Sequence, residues 1–419
     1  MQQTIQNLLK AAGVALWRIE EDISESAELY FVKKRLDMRR KKQKKTYVVT
    51  VYRDFEKNGK AMRGQSTVTL SDAYTEKEME QAIAEAYHAA SFVANPTFEL
   101  PEPVKDTRPD TTPYVLEDCA MQLAEAMYSQ DTASDAFLNS AEIFANKFTM
   151  RITTHHGADI SFTYYRFKGE FVVQCKAPQD VEMYHAFAYE TPDTKSLAEK
   201  VQDALKRIKD RARAEANLPS GTYTLLLSGD HVNEMLGYYT ERSDASAVFA
   251  GYSGWKVGEM VEEATDGDSI TMSLRATTPY SNTGVPMVDR PLLDHNKLCT
   301  IHGGDRFCSY LGISMTGIYN ACSCEAGQLA WTDMQKEPHL YVVSFSDFQM
   351  DAWSGHFGGE IRLAYWFDGK ETHVVTGGSI NGSMAETKGR MHFSSDLYTT
   401  LSYHGPYAVS IPGVKVAGV

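Results

Sequence analysis

The sequence predicts an α+β protein, with an N-terminal domain of duplicated strand–strand–helix units and a β-rich, barrel-like C-terminal domain. Three observations predict it. The hydrophobic period changes from two to helical twice in the first half, and a Pro-rich connector separates the two repeats. The second half breaks into short strands punctuated by glycine. A chain of 419 residues exceeds what one ordinary core organises. We place the boundary so that residues 1–219 form the first domain and residues 220–419 the second.

In chain order, "MQQTIQNLLKAAGVALWRIEEDISES" reads as an amphipathic first helix. It has no basic n-region, and glutamates follow its apolar part, so it does not read as a signal peptide. "TYVVTVYRDF" alternates with period two, turns at Asn58-Gly59 and continues into a second strand. "SDAYTEKEMEQAIAEAYHAASFVAN" then places Met79, Ile83, Ala86 and Ala90 on one helical face. The connector near residues 95–113 carries prolines that exclude regular helix or central strand. The pattern recurs in "FTMRITTHHGADISFTYYRFKGEFVVQCKAP", with turns expected at His156-Gly157 and Lys168-Gly169. A helix follows, with Leu197, Val201, Leu205 and Ile208 inward, ending at Asn217-Leu218-Pro219. Beyond it a short helix is expected after Gly229, then the strands "SITMSLRATT", "HLYVVSFSDF", "EIRLAYWFDG" and "THVVTGG".

Charge narrows the function classes. The net charge of −13 argues against broad nucleic-acid affinity. One window, "KKRLDMRRKKQKKTY", concentrates Lys33, Lys34, Arg35, Arg39, Arg40, Lys41, Lys42, Lys44 and Lys45 against that trend. We read this basic run, residues 33–45, as a solvated hairpin tip or edge strand, where lysines discourage edge-to-edge pairing. The rival reading is a nucleic-acid arm. No apolar run approaches the roughly 18–20 residues that span a bilayer, so no membrane partner is expected. Six cysteines in so long a chain form no small-domain disulfide framework, which points to a reducing cytoplasm.

The second half carries a family resemblance. "YSNTGVPMVDRPLLDHNKLCTIHGGDRFCSYLGISMTG", the upstream "YSGWKVGEMV" and the downstream "SFSDFQMDAWSGHFGGEIRLAYWFDGKETHVVTGGSINGSM" resemble, in order and spacing, the TldD/PmbA family, historically called modulators of DNA gyrase. The finish, "YAVSIPGVKVAGV", is similar to that of the PmbA branch, also called TldE. The resemblance implies a metallopeptidase ancestry: an H-E-x-x-x-H helix whose two histidines bind zinc, with a cysteine from the C-terminal half as a further ligand. Laid onto "SGDHVNEMLGYYTERSD", the motif falls on Asn233, Glu234 and Tyr238, and the cysteine position falls near Phe357. All three expected ligands are replaced. An Asn amide is a poor zinc ligand, a Tyr phenol stays protonated near neutral pH, and Phe cannot coordinate. Glu234 is then a remnant of the catalytic glutamate with no metal-bound water to deprotonate.

The resemblance therefore implies a PmbA/TldE-like, non-catalytic subunit that pairs with a TldD-type peptidase, or with itself as a homodimer, in processing unfolded or leader peptides. No cofactor is expected. An alternative keeps zinc on relocated ligands, His231, Glu234 and His356. Against it, His356 sits one residue from the lost cysteine position, and one residue along a strand turns a side chain to the opposite face. A third reading is a DNA- or gyrase-binding regulator acting through the basic run. Aromatics near the remnant helix, Tyr238, Tyr239, Phe249, Tyr252 and Trp255, are candidates for a groove that accepts an extended peptide by strand addition, or for core. Cys322 and Cys324 form a lone C-x-C, read as buried or free thiols, and His155-His156 sits in a predicted turn.

Overall fold

The computed structural model describes residues 1–263 and 265–419. Helix α1 (Gln2–Ala11) is shorter than the opening segment suggests. Gly13, at φ +70°, turns the chain out of the helix, and from Leu16 onward it is strand β1 (Leu16–Val32). The segment expected as the tail of the first helix is therefore a strand. Its acidic side chains are balanced by nearby cations, with Arg18 of the same strand beside Glu20 and Lys45 of the neighbouring strand beside Glu21.

Strand β2 (Arg35–Lys57) pairs with β1 along its length and with β3 (Lys60–Ser71) from Thr46 onward. The Asn58-Gly59 turn forms as expected. Both residues have positive φ, 54° and 71°, the conformation that a two-residue hairpin demands. Helix α2 (Glu76–Ala90) starts on a capping box in which Thr75 and Glu78 each satisfy the other's backbone N–H. It buries Met79, Ile83, Ala86 and Ala90. The connector holds only two short edge strands, β4 (Asn95–Pro96) and β5 (Lys105–Thr107). Helix α3 (Leu116–Tyr128) follows, an element that the sequence reading missed.

Strands β6 (Ala136–Thr154), β7 (Asp159–Cys175) and β8 (Val181–Tyr189) form the second repeat's sheet, and α4 (Thr194–Arg211) covers it with Leu197, Val201, Leu205 and Ile208 buried. The turn at His156-Gly157 is present, with Gly157 at φ +100°. The turn expected at Lys168-Gly169 is not: β7 runs straight through it. Gly169 serves close packing instead. A Cβ there would lie 2.2 Å from the Glu142 carbonyl oxygen and 2.7 Å from the Phe187 ring. The eight strands form one sheet, ordered β4-β3-β2-β1-β6-β7-β5, with β8 beside β7. One half is covered by α1 and α2 over Ile19, Val49 and Val51. The other is covered by α3 and α4 over Leu138, Ile143 and Phe167.

The rest of the chain builds two further sheets. Strand β9 (Gly221–Ser228) leads into α5 (Asp230–Arg242), the helix expected after Gly229, and then α6 (Ala245–Phe249). A six-stranded sheet joins β10 (Met272–Leu274), β11 (Arg290–Asp294), β12 (Lys297–Leu298) and β13 (Cys322–Cys324) to β19 (Leu397–Thr399) and β20 (Tyr403–Pro406). The other sheet contains β14 (His339–Met350), β15 (His356–Phe367), β16 (Thr372–Val375), β17 (Ser379–Ser383), β18 (His392–Phe393) and β21 (Ala408–Ala417). Five strands close on themselves in the order β14-β9-β21-β17-β15, because β14 pairs with both β9 and β15. Closure removes the open edges. Leu225, Leu227, Val342, Ile361, Val409 and Ile411 belong to the large core cluster of this half.

Helix α7 (Asp305–Leu311) ties the two halves together. Tyr310 donates its hydroxyl to the Pro96 carbonyl at 2.8 Å, and Ser309 Oγ accepts the Glu99 backbone N–H at 3.1 Å. Among the described residues no helix is long and apolar enough to cross a membrane.

Candidate functional site

Helix α5 is seated by Gly229, whose positive φ of 62° turns the end of β9 into the helix while its N–H bonds the Tyr407 carbonyl at 2.8 Å. Val232, Met235, Leu236 and Tyr239 bury one face of the helix at the i, i+3, i+4, i+7 spacing of an amphipathic helix. A second stripe, His231, Glu234, Tyr238 and Glu241, runs along the outer part of β14 and the loop that follows. His231 packs edge-on against Phe345 and Phe348, 5.0 and 5.2 Å between ring centroids. Burial holds its imidazole below the usual histidine range, which favours the neutral ring. Glu234 is pushed up to about 7, chiefly by burial and then by the nearby Asp347 carboxylate; the Met350 backbone N–H works against both.

The three family ligand positions do not converge on a metal. Positions 233 and 238 are five residues apart, about 140° around an α-helix, so they do not share the face that the sequence reading gave them. Asn233 Nδ2 donates to Ser402 Oγ at 3.3 Å, and its Oδ1 accepts the Cys322 thiol at 3.6 Å. Tyr238 lies on another side, with its ring 5.8 Å from Trp255 and the Arg242 guanidinium 5.3 Å above it. Phe357 is buried over Gly382, where a Cβ would come within 2.1 Å of its ring. Each replacement is engaged by its own neighbours, and a metal ion does not fit this side-chain set. Nor are His231, Glu234 and His356 gathered: His356 is exposed while the adjacent Phe357 points into the core, the alternation expected of a strand. Among the described residues no group of three His, Cys, Asp or Glu side chains is placed to hold a metal ion.

Of the two readings of the aromatics near this helix, groove or core, most of the side chains take the second. Tyr239 is fully buried, and its hydroxyl donates to Glu262 at 2.6 Å. Tyr238 is also buried, and Trp255 packs against the same core. Only Tyr252 and Phe249 face solvent, the first near Trp353 and the second against Phe307 and Tyr310. Arg242 locks this end of the helix by donating to the carbonyls of Ala352 and Trp353 at 3.0 and 3.2 Å. Cys322 and Cys324 are buried free thiols, as read from the sequence, and burial pushes Cys322 up to about 12.

A cleft of about 680 Å³ opens instead at the C-terminal end of α5, between the two halves of the chain. Gln65, Ser66 and Thr67 of β3 line one wall; Thr240, Glu241, Asp244, His302, Asp305 and Arg306 line the other. His302 is buried, and its Nε2–H faces the Thr240 carbonyl at 3.0 Å, which fixes that tautomer. Among the described residues its buried Nδ1 has no hydrogen-bond partner. Burial lowers the pKa of this imidazole and, with Asp351 nearby, raises that of the Glu241 carboxyl. The sequence reading singled out none of these residues, because "TIHGGDRF" has no catalytic spacing and the facing wall, Gln65 to Thr67, comes from over 200 residues away.

A protein-family comparison matches residues 220–418 to the PmbA/TldA metallopeptidase C-terminal domain. Residues 220–418 are thus a C-terminal domain of the TldD/PmbA kind. No curated protein sequence matches the chain. Solved structures of the same fold include TldE from Thermococcus kodakarensis, with TM-score 0.79 at 14% identity, covering 99% of this chain and 100% of that one. A proposed modulator of a DNA gyrase from Thermotoga maritima gives 0.76 at 16% identity, with coverage of 99% and 100%. One from Bacteroides thetaiotaomicron gives 0.77 at 15% identity, with coverage of 100% and 99%. At these identities the TldD/PmbA likeness of the whole chain is a likeness of fold.

Proposed function

We propose that this chain is a TldE-like, non-catalytic subunit that handles extended peptides beside a TldD-type metallopeptidase in the cytoplasm. One observation carries the reading: the helix that would hold the metal has Asn233 and Tyr238 at its ligand positions, engaged by Ser402, Cys322 and Trp255, while Phe357 fills the cysteine position. A peptide then has no activated water to meet on this chain. What the chain offers is the cleft beside α7, about 680 Å³ in volume, whose lining combines polar side chains such as Gln65 and Thr240 with the apolar Val93, Ile318 and Trp353. The six unpaired cysteines fit a reducing compartment.

The test is metal content by elemental mass spectrometry on protein purified without chelators, together with peptide hydrolysis measured alone and after mixing with a TldD-type subunit. The reading expects far less than one zinc, iron or manganese per chain, no hydrolysis alone, and enhanced hydrolysis in the mixture. One metal per chain, with activity lost in both Glu234→Gln and His231→Ala, would establish the relocated-ligand peptidase instead.

A further inference from the structure

The basic run has no part in that function, and its surroundings are unusual. β1 flanks β2 throughout, but β3 pairs with it only from Thr46, so the side of β2 away from β1 is open over residues 35–45. Every residue from Arg35 to Lys44 is solvent-exposed. Many of the cations already have partners: Arg35 with Asp37, Arg40 with Glu28, Lys41 with Glu117 and Lys45 with Glu21. Among the described residues Arg39, Lys42 and Lys44 have no carboxylate within ion-pair distance. Lys42 and Lys44 stand opposite Ser26 and Ser24, on one face of the strand and two residues apart. The backbone is open too. Counting back from the Lys57–Lys60 pair that closes the Asn58-Gly59 turn, the N–H and C=O groups of Arg39, Lys41 and Gln43 point away from β1 into water.

We propose that an acidic, extended segment of another protein chain adds as a strand to this edge, its alternate carboxylates meeting Lys42 and Lys44. A row of unpaired backbone groups is a template that only a polypeptide backbone satisfies, and the lysines select the sign of what pairs. A second copy of the same edge is repelled. Nucleic acid is the poorer match, because a phosphate backbone leaves the outward N–H and C=O row of β2 unpaired, Glu25 and Glu28 of β1 stand opposite Gln43 and Arg40 in the same rows, and the chain carries −13 overall. Edge protection alone is met most simply by a short edge strand with one or two charges, whereas here a long edge is left open.

The test is fluorescence anisotropy at low salt, using a labelled peptide of about ten residues, long enough to follow the open edge at about 3.3 Å per residue, that alternates Glu with Val and Thr. The cleft wall of Glu241, Asp244 and Asp305 repels this probe, so its binding reports on the β2 edge and is independent of the peptide-handling function. The expected result is saturable binding, weakened about tenfold by Lys42→Glu with Lys44→Glu. Gln43→Pro should weaken it as well, since it removes an outward N–H and no charge; a thermal melt checks that this variant is folded. Absence of binding, or equal affinity in both folded variants, would overturn the proposal. So would a single-stranded oligonucleotide of equal charge that binds as tightly and is unaffected by Gln43→Pro, since that behaviour belongs to a phosphate patch.

Discussion

The two ends of α5 differ sharply in how their polar groups are used. The N-terminal two-thirds, where the family's ligands would sit, is closed: Asn233 is hydrogen-bonded, His231 is wedged between phenylalanines, and Tyr238 and Tyr239 are packed. Around the C-terminal turn, Thr240 and Glu241 open onto a cleft lined also by Gln65, Thr67 and Asp244. The difference teaches that one helix can hold its polar side chains locked by neighbours at one end and open to a cleft at the other. Asn233 and Tyr238 are taken up by their neighbours, while the room for a ligand lies one turn further on, where two halves of the chain meet.

The largest effect that would break this comparison is on the closed end. Tyr239→Ala removes a fully buried ring and strands the Glu262 carboxyl, so it should cost about 3–5 kcal/mol. A chemical-denaturation midpoint close to that of the unmodified chain would show that this end is not core at all.

Glu234→Gln has a smaller, pH-dependent effect. The folded-state pKa of about 7 lies above the ordinary glutamate value of 4.5, so the native state holds the proton more tightly. The stabilising contribution of that proton is complete below about pH 4.5 and is lost as pH rises through about 7. With discounting for solvent screening of a partly exposed carboxylate, the variant should gain about 1 kcal/mol at pH 8 and almost nothing at pH 4. Melting curves at the two pH values check it, and an equal shift at both would remove the buried-charge account.

The smallest stability effect belongs to the open end. Thr67→Trp on the exposed cleft wall of β3 should change stability by no more than about 0.5 kcal/mol while weakening binding of an extended peptide. Calorimetric titration with a neutral extended peptide would show it. Unchanged affinity would move the peptide site away from the cleft.

Local patterns were well read wherever a local cause decided the outcome. Asn58-Gly59 makes its hairpin because positive φ is cheap for those two residues, and α2 and α4 bury the faces that a 3.6-residue period marks. That Asn233, Tyr238 and Phe357 are poor or impossible zinc ligands was likewise legible, since that chemistry is written in their identities. Misreadings occurred where neighbours distant in sequence overrode the local signal. Lys168-Gly169 looks like a turn, but Gly169 is there to let β6 and β8 come close. The aromatics after Glu234 look like a groove, but Glu262, Trp255 and Arg242 enclose most of them.

By itself, then, the sequence determined the α+β class, the two helix-covered repeats, the barrel-like second half and the identities of the side chains along α5. These follow from periodicity, turn chemistry and side-chain identity, all short-range properties. Only the tertiary structure decided that Asn233 and Tyr238 face different neighbours, that β2 ends in an open cationic edge, and that a cleft forms between β3 and α7. Each depends on which residues far apart in the chain become neighbours, set by strand register, helix rotation and the docking of one half against the other.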